Sequence, residues 1–238
     1  MLSVIVPTYN ERGALPELLD RLKATFDLAG LRAEVIVVDD GSPDGTADLA
    51  ETLADRYPVR VLRRPGKLGL ASAVLDGLKL ARGDLIAVMD ADLSHPPEAL
   101  LPMVRAVEEG HAELAVGSRY VKNGGMEDWP WHRQLVSRVA NTLTWGLTPV
   151  RDATSGFFVV RRSALEGVGL NPIGFKIGLE VIARARYQHC VEVPFIFTDR
   201  KHGFSKFTTR EVLAFLKQLA ILYSEKYSAR LGLARSKV

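Results

Sequence analysis

Two aspartates one residue apart, Asp90 and Asp92, stand directly after the apolar run at residues 85–89. That run predicts a buried strand, so both carboxylates lie where a strand passes into a loop. Hard cations such as Mg²⁺ are usually held by one or two protein carboxylates together with the phosphates of a substrate. The spacing alone is common by chance. Its position at a strand end is what predicts a site for a metal ion and a diphosphate.

Polar and acidic residues also follow two earlier apolar runs. Tyr9 and Glu11 come after the first run, and Asp39 and Asp40 come after the second. A strand buried on both faces does not tolerate an unpaired charge, so acids at matching strand ends predict one convergent site. Helix capping is the alternative for each acid. Capping explains one acid in a loop well, and paired acids in two loops poorly.

The runs that carry these residues alternate with segments of helical periodicity. Predicted strands lie at 2–6, 33–38, 59–62, 85–89 and 113–117, followed by strands at 155–160 and 191–197; predicted helices include 129–147 and 176–186. Strands that alternate with helices predict an α/β fold with a mainly parallel sheet and helices on both faces. Ligands of such sheets bind beyond the carboxyl ends of the strands.

Composition and missing motifs exclude several protein classes. The 238 residues are 47% hydrophobic and 25% charged, which is typical of a globular protein, and the net charge of +3 is weak evidence for nucleic acid binding. A single cysteine, Cys190, excludes a disulfide framework and a multi-cysteine metal site. No signal peptide and no apolar run of about 18–20 residues is found, so we expect no membrane-spanning segment. Neither G-x-G-x-x-G nor a phosphate-binding P-loop motif is present, which argues against a dehydrogenase and a P-loop NTPase.

An ordered set of short blocks carries a specific family resemblance. The blocks are PTYNE (7–11), VDDGSPDGT (38–46), MDADLSHPPE (89–98), GSRY (117–120), DATSGFF (152–158), NPIGFK (171–176), DR (199–200) and GFSK (203–206). Together they resemble the inverting family 2 glycosyltransferases with the GT-A fold, in particular the dolichyl or polyprenyl phosphate mannose synthases. The resemblance extends from residue 2 to about residue 225.

The resemblance assigns roles to the residues at the strand ends. It implies that Pro7, Tyr9, Glu11, Val38 and Asp40 hold the nucleoside of a nucleotide sugar, GDP-mannose. Because neighbouring residues of a strand point to opposite faces, only one of the two adjacent aspartates should face the base, and the family pattern favours the second.

The same resemblance implies that a second group of residues binds the metal ion and the diphosphate. Asp90, Ala91 and Asp92 would bind the ribose, the diphosphate and Mg²⁺ or Mn²⁺, with Ser94 completing the metal ligands. Some relatives carry a glutamine at the position of Ser94. Because the serine side chain is shorter than that of glutamine, it leaves room for a water molecule between Ser94 and the metal.

Three basic residues would bind phosphates of the donor and of the lipid acceptor, and with Asp92 they form the predicted catalytic set: Arg119, Arg200 and Lys206. Arg133 is a further candidate. Arginine suits bidentate phosphate contact. Phe204 stands where a glutamate is commoner in the family, which makes it a candidate for contact with lipid.

The implied reaction is transfer of mannose to a polyprenyl phosphate with inversion, and it needs no general base. A phosphate monoester with a second pKa of about 6 is already largely ionised near neutrality. His95 is read as a loop residue near the site, and the role of His202 stays open. The alternatives are UDP-glucose or another donor, and a non-catalytic nucleotide-sugar-binding subunit.

The chain is predicted to form a catalytic domain over residues 1–207, with a nucleotide-binding half (1–120) and an acceptor half (121–207). Residues 208–238 are predicted to form a basic amphipathic interfacial helix and tail. Many relatives carry C-terminal transmembrane helices and this sequence shows none. We therefore expect a peripheral contact with the cytoplasmic face of a membrane, an anchoring partner subunit, or both.

Overall fold

The computed structural model describes residues 1–199 and 209–230. Its strands are β1 (Leu2–Thr8), β2 (Ala33–Asp39), β3 (Val59–Arg63), β4 (Leu85–Val88), β5 (Leu114–Ser118), β6 (Gly125–Glu127), β7 (Phe158–Arg161), β8 (Cys190–Pro194) and β9 (Ile196–Thr198). Its α-helices are α1 (Leu15–Ala29), α2 (Thr46–Leu53), α3 (Leu70–Leu80), α4 (Leu100–Glu108), α5 (Trp131–Thr142), α6 (Ile177–Arg184) and α7 (Thr209–Arg230).

Seven strands form one mainly parallel sheet in the order β3-β2-β1-β4-β7-β5-β8. Only β7 runs against its neighbours, pairing antiparallel with both β4 and β5. The carboxyl ends of β1, β2, β4 and β5 therefore meet at one edge, together with the amino end of β7. Strands β6 and β9 pair in parallel and form a separate two-stranded sheet.

Both faces of the sheet are covered, which explains why its strands are nearly continuous apolar runs. One core contains the apolar sides of α1 and α4, with Leu18, Leu22 and Met103 at 0% exposure. The other contains residues of α3, α6 and α7, including Leu179 and Leu219. The α/β fold class expected from the alternating pattern is confirmed.

Three predicted elements differ from the observed ones. The helix expected at 129–147 is observed as α5 over Trp131–Thr142, because Pro130 precedes its first turn and residues 143–147 form turns. The strand expected at 191–197 is interrupted at Phe195, because β8 pairs with β5 in the large sheet whereas β9 pairs with β6 in the small one. The strand expected at 155–160 begins only at Phe158, since the residues before it form a loop at the carboxyl edge. The proposed boundary between residues 207 and 208 stays a prediction.

The C-terminal helix is packed on the domain through one face. Phe215, Gln218, Leu219 and Leu222 of α7 are buried, and their spacing follows the helical period. Within the two described ranges, no helix combines the length and the apolar character needed to cross a membrane.

A test of this architecture concerns the start of α6, which packs against the loop before β7. A Cβ at Gly178 would lie 2.1 Å from the carbonyl oxygen of Ser155. We expect Gly178→Ala to lower the free energy of unfolding by about 1–3 kcal/mol, because the added methyl forces the backbone apart. Urea denaturation measures the change.

Gly169→Ala is the matched control, since a Cβ there has no heavy atom within 4 Å. Its effect should stay within about 0.5 kcal/mol of the wild type. Equal stability of the two variants would contradict the close packing of α6 on this loop.

Candidate active site

The predicted strand-end residues come together along the carboxyl edge of the large sheet. Tyr9 follows β1, Asp40 follows β2, Asp90 follows β4 and Arg119 follows β5. Asp90 is close enough to act electrostatically on Arg119. The strand ends therefore place these residues along one edge of the sheet, and their joint role as one site stays a prediction.

The nucleoside-binding candidates divide into buried and accessible residues. Pro7 and Val38 are buried inside β1 and β2, opposite each other in the register, and the Val38 side chain belongs to the core. Tyr9 is partly exposed, with the ammonium of Lys67 4.3 Å from its ring centroid. Glu11 is partly exposed as well. The accessible part of this region is thus formed by the residues after β1.

The adjacent aspartates at the end of β2 have separate tasks. Asp39 accepts hydrogen bonds from the backbone N–H of Ser42 at 2.9 Å and from its hydroxyl, so it fixes its own turn. Asp40 accepts hydrogen bonds from Arg64 Nη1 at 2.6 Å and from the backbone N–H of Gly69 at 2.7 Å. Asp40 therefore holds the loop before α3, and its role towards a base stays a prediction.

The Asp90–Asp92 turn presents one partly exposed and one buried carboxylate. The side chain of Asp90 is 33% exposed, whereas Asp92 is 7% exposed. Ser94 donates to Asp92 Oδ1 from its hydroxyl at 2.6 Å and from its backbone N–H at 3.1 Å. Leu93 adopts a φ of 64°, a left-handed conformation that folds Ser94 back onto Asp92. Ser94 thus orients Asp92, and Ala91 is buried in the core between the two carboxylates.

His95 stabilises the same turn through a hydrogen bond with the backbone of Asp90. Its Nδ1 accepts a hydrogen bond from the backbone N–H of Asp90 at 3.0 Å, and its ring stacks on Phe157 at 4.9 Å between centroids. Burial lowers the pKa of His95 although Asp90 and Asp92 oppose that shift. A neutral ring whose Nδ1 is already an acceptor is suited to positioning Asp90.

A buried ion pair joins the end of β5 to the loop before β7. Arg119 binds both oxygens of Asp152 in a bidentate pair, with Nε and Nη2 each donating at 2.7 Å, and its backbone N–H donates at 2.9 Å. Asn141 of α5 also donates to Asp152, at 3.3 Å. Burial acts to raise the pKa of Asp152, but the charge and hydrogen bonds of Arg119 outweigh it, so this pKa is lowered.

Aromatic rings surround the outer side of Arg119. Its guanidinium carbon lies 5.5 Å from the Trp129 ring centroid and 5.6 Å from that of Tyr120. Tyr120 Oη and Trp129 Nε1 are buried without a hydrogen-bond partner in residues 1–199 and 209–230. Arg133 lies over Trp129 and donates to Asp199 at 2.7 Å. Two unused donors beside Arg119 are consistent with a site for ligand oxygen atoms.

Lys176 is a residue of this site to which the sequence analysis gave no role, although it ends the NPIGFK block. Its ammonium donates to the backbone oxygen of Thr154 at 2.9 Å. The same loop approaches the metal-binding candidate, since a Cβ at Gly156 would lie 4.0 Å from Asp90 Oδ1. Burial, and then the charge of Arg119, lowers the pKa of Lys176 to about 8. Asp152 was missed too, although its block was recognised.

Arg200 and Lys206, together with His202 and Phe204, lie outside the described residues. In the part of the chain that is described, no group of three or more His, Cys, Asp or Glu side chains could hold a metal ion. The pair Asp90 and Asp92 fits instead the kind of Mg²⁺ or Mn²⁺ site that depends on substrate phosphates for its remaining ligands.

Sequence comparison identifies the family. Residues 3–169 match the profile described as "Glycosyl transferase family 2". The chain belongs to glycosyl transferase family 2. This membership confirms the resemblance derived from the ordered blocks.

The names of similar curated proteins agree with this family membership and with the resemblance to the mannose synthases within it. The chain is 45% identical over 222 residues to a dolichol-phosphate mannosyltransferase of Pyrococcus furiosus. The aligned region covers 92% of this chain but only 62% of the length of that protein. It is 43% identical over 215 residues to a polyprenol monophosphomannose synthase of Mycolicibacterium smegmatis, covering 85% and 79% of the two chains. A dolichol-phosphate mannosyltransferase of Saccharomyces cerevisiae is 37% identical, with 95% and 88% covered.

Solved structures with similar architecture have more distant sequences. Mannosyl-3-phosphoglycerate synthase from Rubrobacter xylanophilus has a TM-score of 0.65 at 19% identity, covering all of this chain and 77% of that one. Glucosyl-3-phosphoglycerate synthase from Mycobacterium tuberculosis, solved with Mn²⁺, UDP and its product, has a TM-score of 0.65 at 20% identity, covering 100% and 82%. These similarities establish the fold.

The buried ion pair leads to a stability prediction. Asp152→Asn removes the charge that compensates Arg119, and we expect the free energy of unfolding at pH 7 to fall by about 3–5 kcal/mol. Because the pKa of Asp152 is lowered in the folded state, its contribution is present above the unfolded-state pKa of about 3.9 and is lost as pH falls through the folded-state value. Denaturation at pH 7 and at about pH 2 measures both effects.

Asp27→Asn is the control, since Asp27 pairs with Lys23 on the exposed side of α1. This change should cost less than about 1 kcal/mol at either pH. A similar small loss for Asp152→Asn would show that the buried pair does not stabilise the fold.

Proposed function

We propose that the protein transfers mannose from GDP-mannose to polyprenyl phosphate, with inversion at the anomeric carbon, at the surface of a membrane. The observation that carries the proposal is the orientation of α5. Its polar residues are buried against the loop that contains Asp152 and Thr154, whereas most of its apolar residues are exposed. The names of the curated relatives, each a mannose transferase to dolichol phosphate or polyprenol phosphate, agree with it.

The buried side of α5 is polar. Ser137 and Asn141 are its buried residues, and Asn141 accepts a hydrogen bond from the backbone N–H of Thr154 while donating to Asp152. The exposed side also includes His132, Arg138 and Thr142, but most of it is apolar. With the turn that follows, it carries Trp131, Leu135, Val136, Val139, Leu143 and Trp145, each between 44% and 75% exposed. A helix that points its apolar face outward is suited to lie in the headgroup region of a bilayer.

The helix α7 extends this apolar surface. Tyr223 donates its hydroxyl to the carbonyl oxygen of Leu143 at 2.8 Å, and Lys226 donates to the carbonyl oxygens of Gly146 and Leu147. Leu213 and Leu216 of α7 are exposed by 67% and 46%, respectively. One face of α7 is packed on the domain, and we propose that its exposed apolar residues contact lipid together with those of α5.

The proposed reaction is a single displacement. An oxygen of the acceptor phosphate forms a bond to the anomeric carbon while the bond from that carbon to the GDP oxygen breaks, and its electron pair stays on GDP. No proton has to be removed from the acceptor, because a phosphate monoester is already ionised near pH 7. A metal ion held by Asp90 and Asp92 would neutralise charge on the leaving diphosphate. Arg119, Arg200 and Lys206 are proposed to bind the phosphates.

The first test combines donor choice with the metal ligands. Purified protein should move labelled mannose from GDP-mannose into a lipid fraction with Mg²⁺ or Mn²⁺, and should not do so with a chelator. Asp92→Asn should reduce this turnover by about 100-fold or more, because the leaving group loses its metal-mediated stabilisation. Asp55→Asn, at an exposed position, should leave turnover within twofold of the wild type.

UDP-glucose is the competing donor in the same assay. Faster transfer of glucose than of mannose would contradict the proposed donor, and transfer that survives both the chelator and Asp92→Asn would contradict the metal site. Loss of activity without a loss of the folding transition separates a catalytic defect from misfolding.

The second test concerns the membrane surface. Val139→Glu places a charge on the exposed face of α5, and we expect several-fold weaker binding to vesicles that contain polyprenyl phosphate, measured by co-sedimentation. Turnover with a short water-soluble isoprenyl phosphate should not change.

Leu28→Glu is the matched control, because Leu28 is 85% exposed on α1. It should bind vesicles like the wild type. If Val139→Glu binds as well as Leu28→Glu, α5 is not the membrane contact.

A further inference from the structure

The loops that follow β1 and β2 are joined by three consecutive backbone N–H groups of the first loop. Each donates to a side chain of the second loop: Asn10 to the hydroxyl of Ser42 at 2.9 Å, Glu11 to the hydroxyl of Thr46 at 3.0 Å, and Arg12 to the carboxylate of Asp44 at 3.2 Å. These N–H groups lie between the end of β1 and the start of α1. The side chains therefore provide partners that the strand and the helix do not.

Each hydroxyl in this connection is oriented by a carboxylate. Ser42 donates its proton to Asp39 Oδ1 at 2.5 Å, and Thr46 donates its proton to Asp44 Oδ1 at 2.5 Å. A hydroxyl has one donor and two acceptor lone pairs, so a carboxylate that takes the proton leaves the oxygen as an acceptor. The two aspartates thus direct both hydroxyl oxygens towards the backbone after β1.

The backbone held in this way has an unusual conformation. Asn10 adopts a φ of 60°, in the left-handed region that few residues other than glycine occupy. Its bond to Ser42 stabilises this bend, which lies between Tyr9 and Glu11. Thr46 is 0% exposed, so water cannot readily replace its bond to the N–H of Glu11.

The loop after β1 also borders the crevice where a ligand of this sheet is expected. Strand β1 pairs with β2 on one side and with β4 on the other, although β4 follows β3 in the chain, so the strand order reverses here. Open α/β sheets bind ligands beyond the carboxyl ends of the strands at such a reversal. A nucleotide whose diphosphate lies at Asp90 after β4 thus has the loop after β1 as its neighbour, where Tyr9 and Glu11 are both partly exposed.

We propose that Ser42 and Thr46 are positioning residues for the donor nucleotide, an assignment that rests on the proposed transfer. They act through the backbone of residues 10–12, which they hold in the conformation that presents Tyr9 and Glu11 to the ligand. A loop that is ordered before the ligand arrives loses less conformational freedom on binding, and this raises affinity. Asp39 and Asp44 contribute by orienting the two hydroxyls, without having to touch the nucleotide.

Binding of GDP with Mg²⁺, measured by calorimetry, tests the proposal without turnover. Thr46→Val nearly keeps the shape of the side chain but removes the oxygen that the N–H of Glu11 binds. We expect about 5- to 10-fold weaker binding, as for the loss of one hydrogen bond. Thr46→Ser retains the hydroxyl and should bind within about twofold of the wild type.

Thr52→Val is the matched control, because Thr52 is an exposed residue of the same helix, α2. Its hydroxyl donates to the carbonyl oxygen of Leu49 within that helix. The control should bind GDP like the wild type.

Steady-state kinetics distinguishes positioning of the donor from a general loss of structure. Thr46→Val should raise the KM for GDP-mannose and leave kcat within about twofold, because a nucleoside remote from the reacting carbon is bound alike in the ground state and the transition state. Ser42→Ala removes the other hydroxyl and should show the same division between KM and kcat. Urea denaturation reports whether each variant is folded.

Any of three results would overturn the assignment: GDP binding by both Thr46→Val and Ser42→Ala like that of the wild type, an equal loss in Thr52→Val, or no recovery in Thr46→Ser. If Thr46→Val does not fold, Ser42→Ala decides, since Ser42 is partly exposed, and unchanged GDP binding by that variant would overturn the assignment.

UDP with Mg²⁺ is measured in parallel, and the same comparison of variants applies if the wild type prefers that nucleotide. Wild-type protein that binds neither nucleotide would overturn the assignment as well. Failure of the proposed function is distinct, because it would appear as variants that lose nucleotide affinity as expected in a protein that transfers no mannose.

Discussion

The buried pair of Arg119 and Asp152 is the interaction on which the arrangement of the site depends. It joins the end of β5 to the loop before β7, and Asn141 attaches α5 to the same carboxylate. Glu192 of β8 completes the connection by accepting the backbone N–H of Asp152 at 3.1 Å. Removing two charges from water is expensive, so the pair is stable only because its hydrogen bonds are nearly all made.

This polar junction also explains the orientation of α5. A helix that must satisfy Asp152 and the backbone of Thr154 turns its polar side inward, and its apolar side is then left at the surface. In an ordinary surface helix the hydrophobic effect drives the opposite arrangement. Under the proposed function, a lipid surface would provide the missing burial and bring the acceptor phosphate to the edge where Asp90 and Arg119 lie. One set of hydrogen bonds would thereby couple the membrane contact to the reaction centre.

Local patterns were enough to predict the strands and the turn that carries Asp90 and Asp92. The apolar runs gave the strand positions, and the acids after β2 and β4 identified the edge where the site forms. Pairings between distant side chains were not predictable in this way. Asp40 contacts Arg64, which is 24 residues away, and Arg119 contacts Asp152, which is 33 residues away. Periodicity showed that a helix near residues 129–147 has two faces, but it does not tell which face is buried, because that choice is made by partners elsewhere in the chain.

The stereochemistry of the product tests the central claim most directly. Purified protein, Mg²⁺, polyprenyl phosphate and GDP-mannose labelled with ¹³C at the anomeric carbon should give a lipid whose one-bond carbon–hydrogen coupling reports the configuration of that carbon. A direct displacement by the acceptor phosphate predicts labelled mannose on the lipid phosphate with the configuration opposite to that of the donor. Retained configuration, or label that never enters the lipid fraction, would contradict the account.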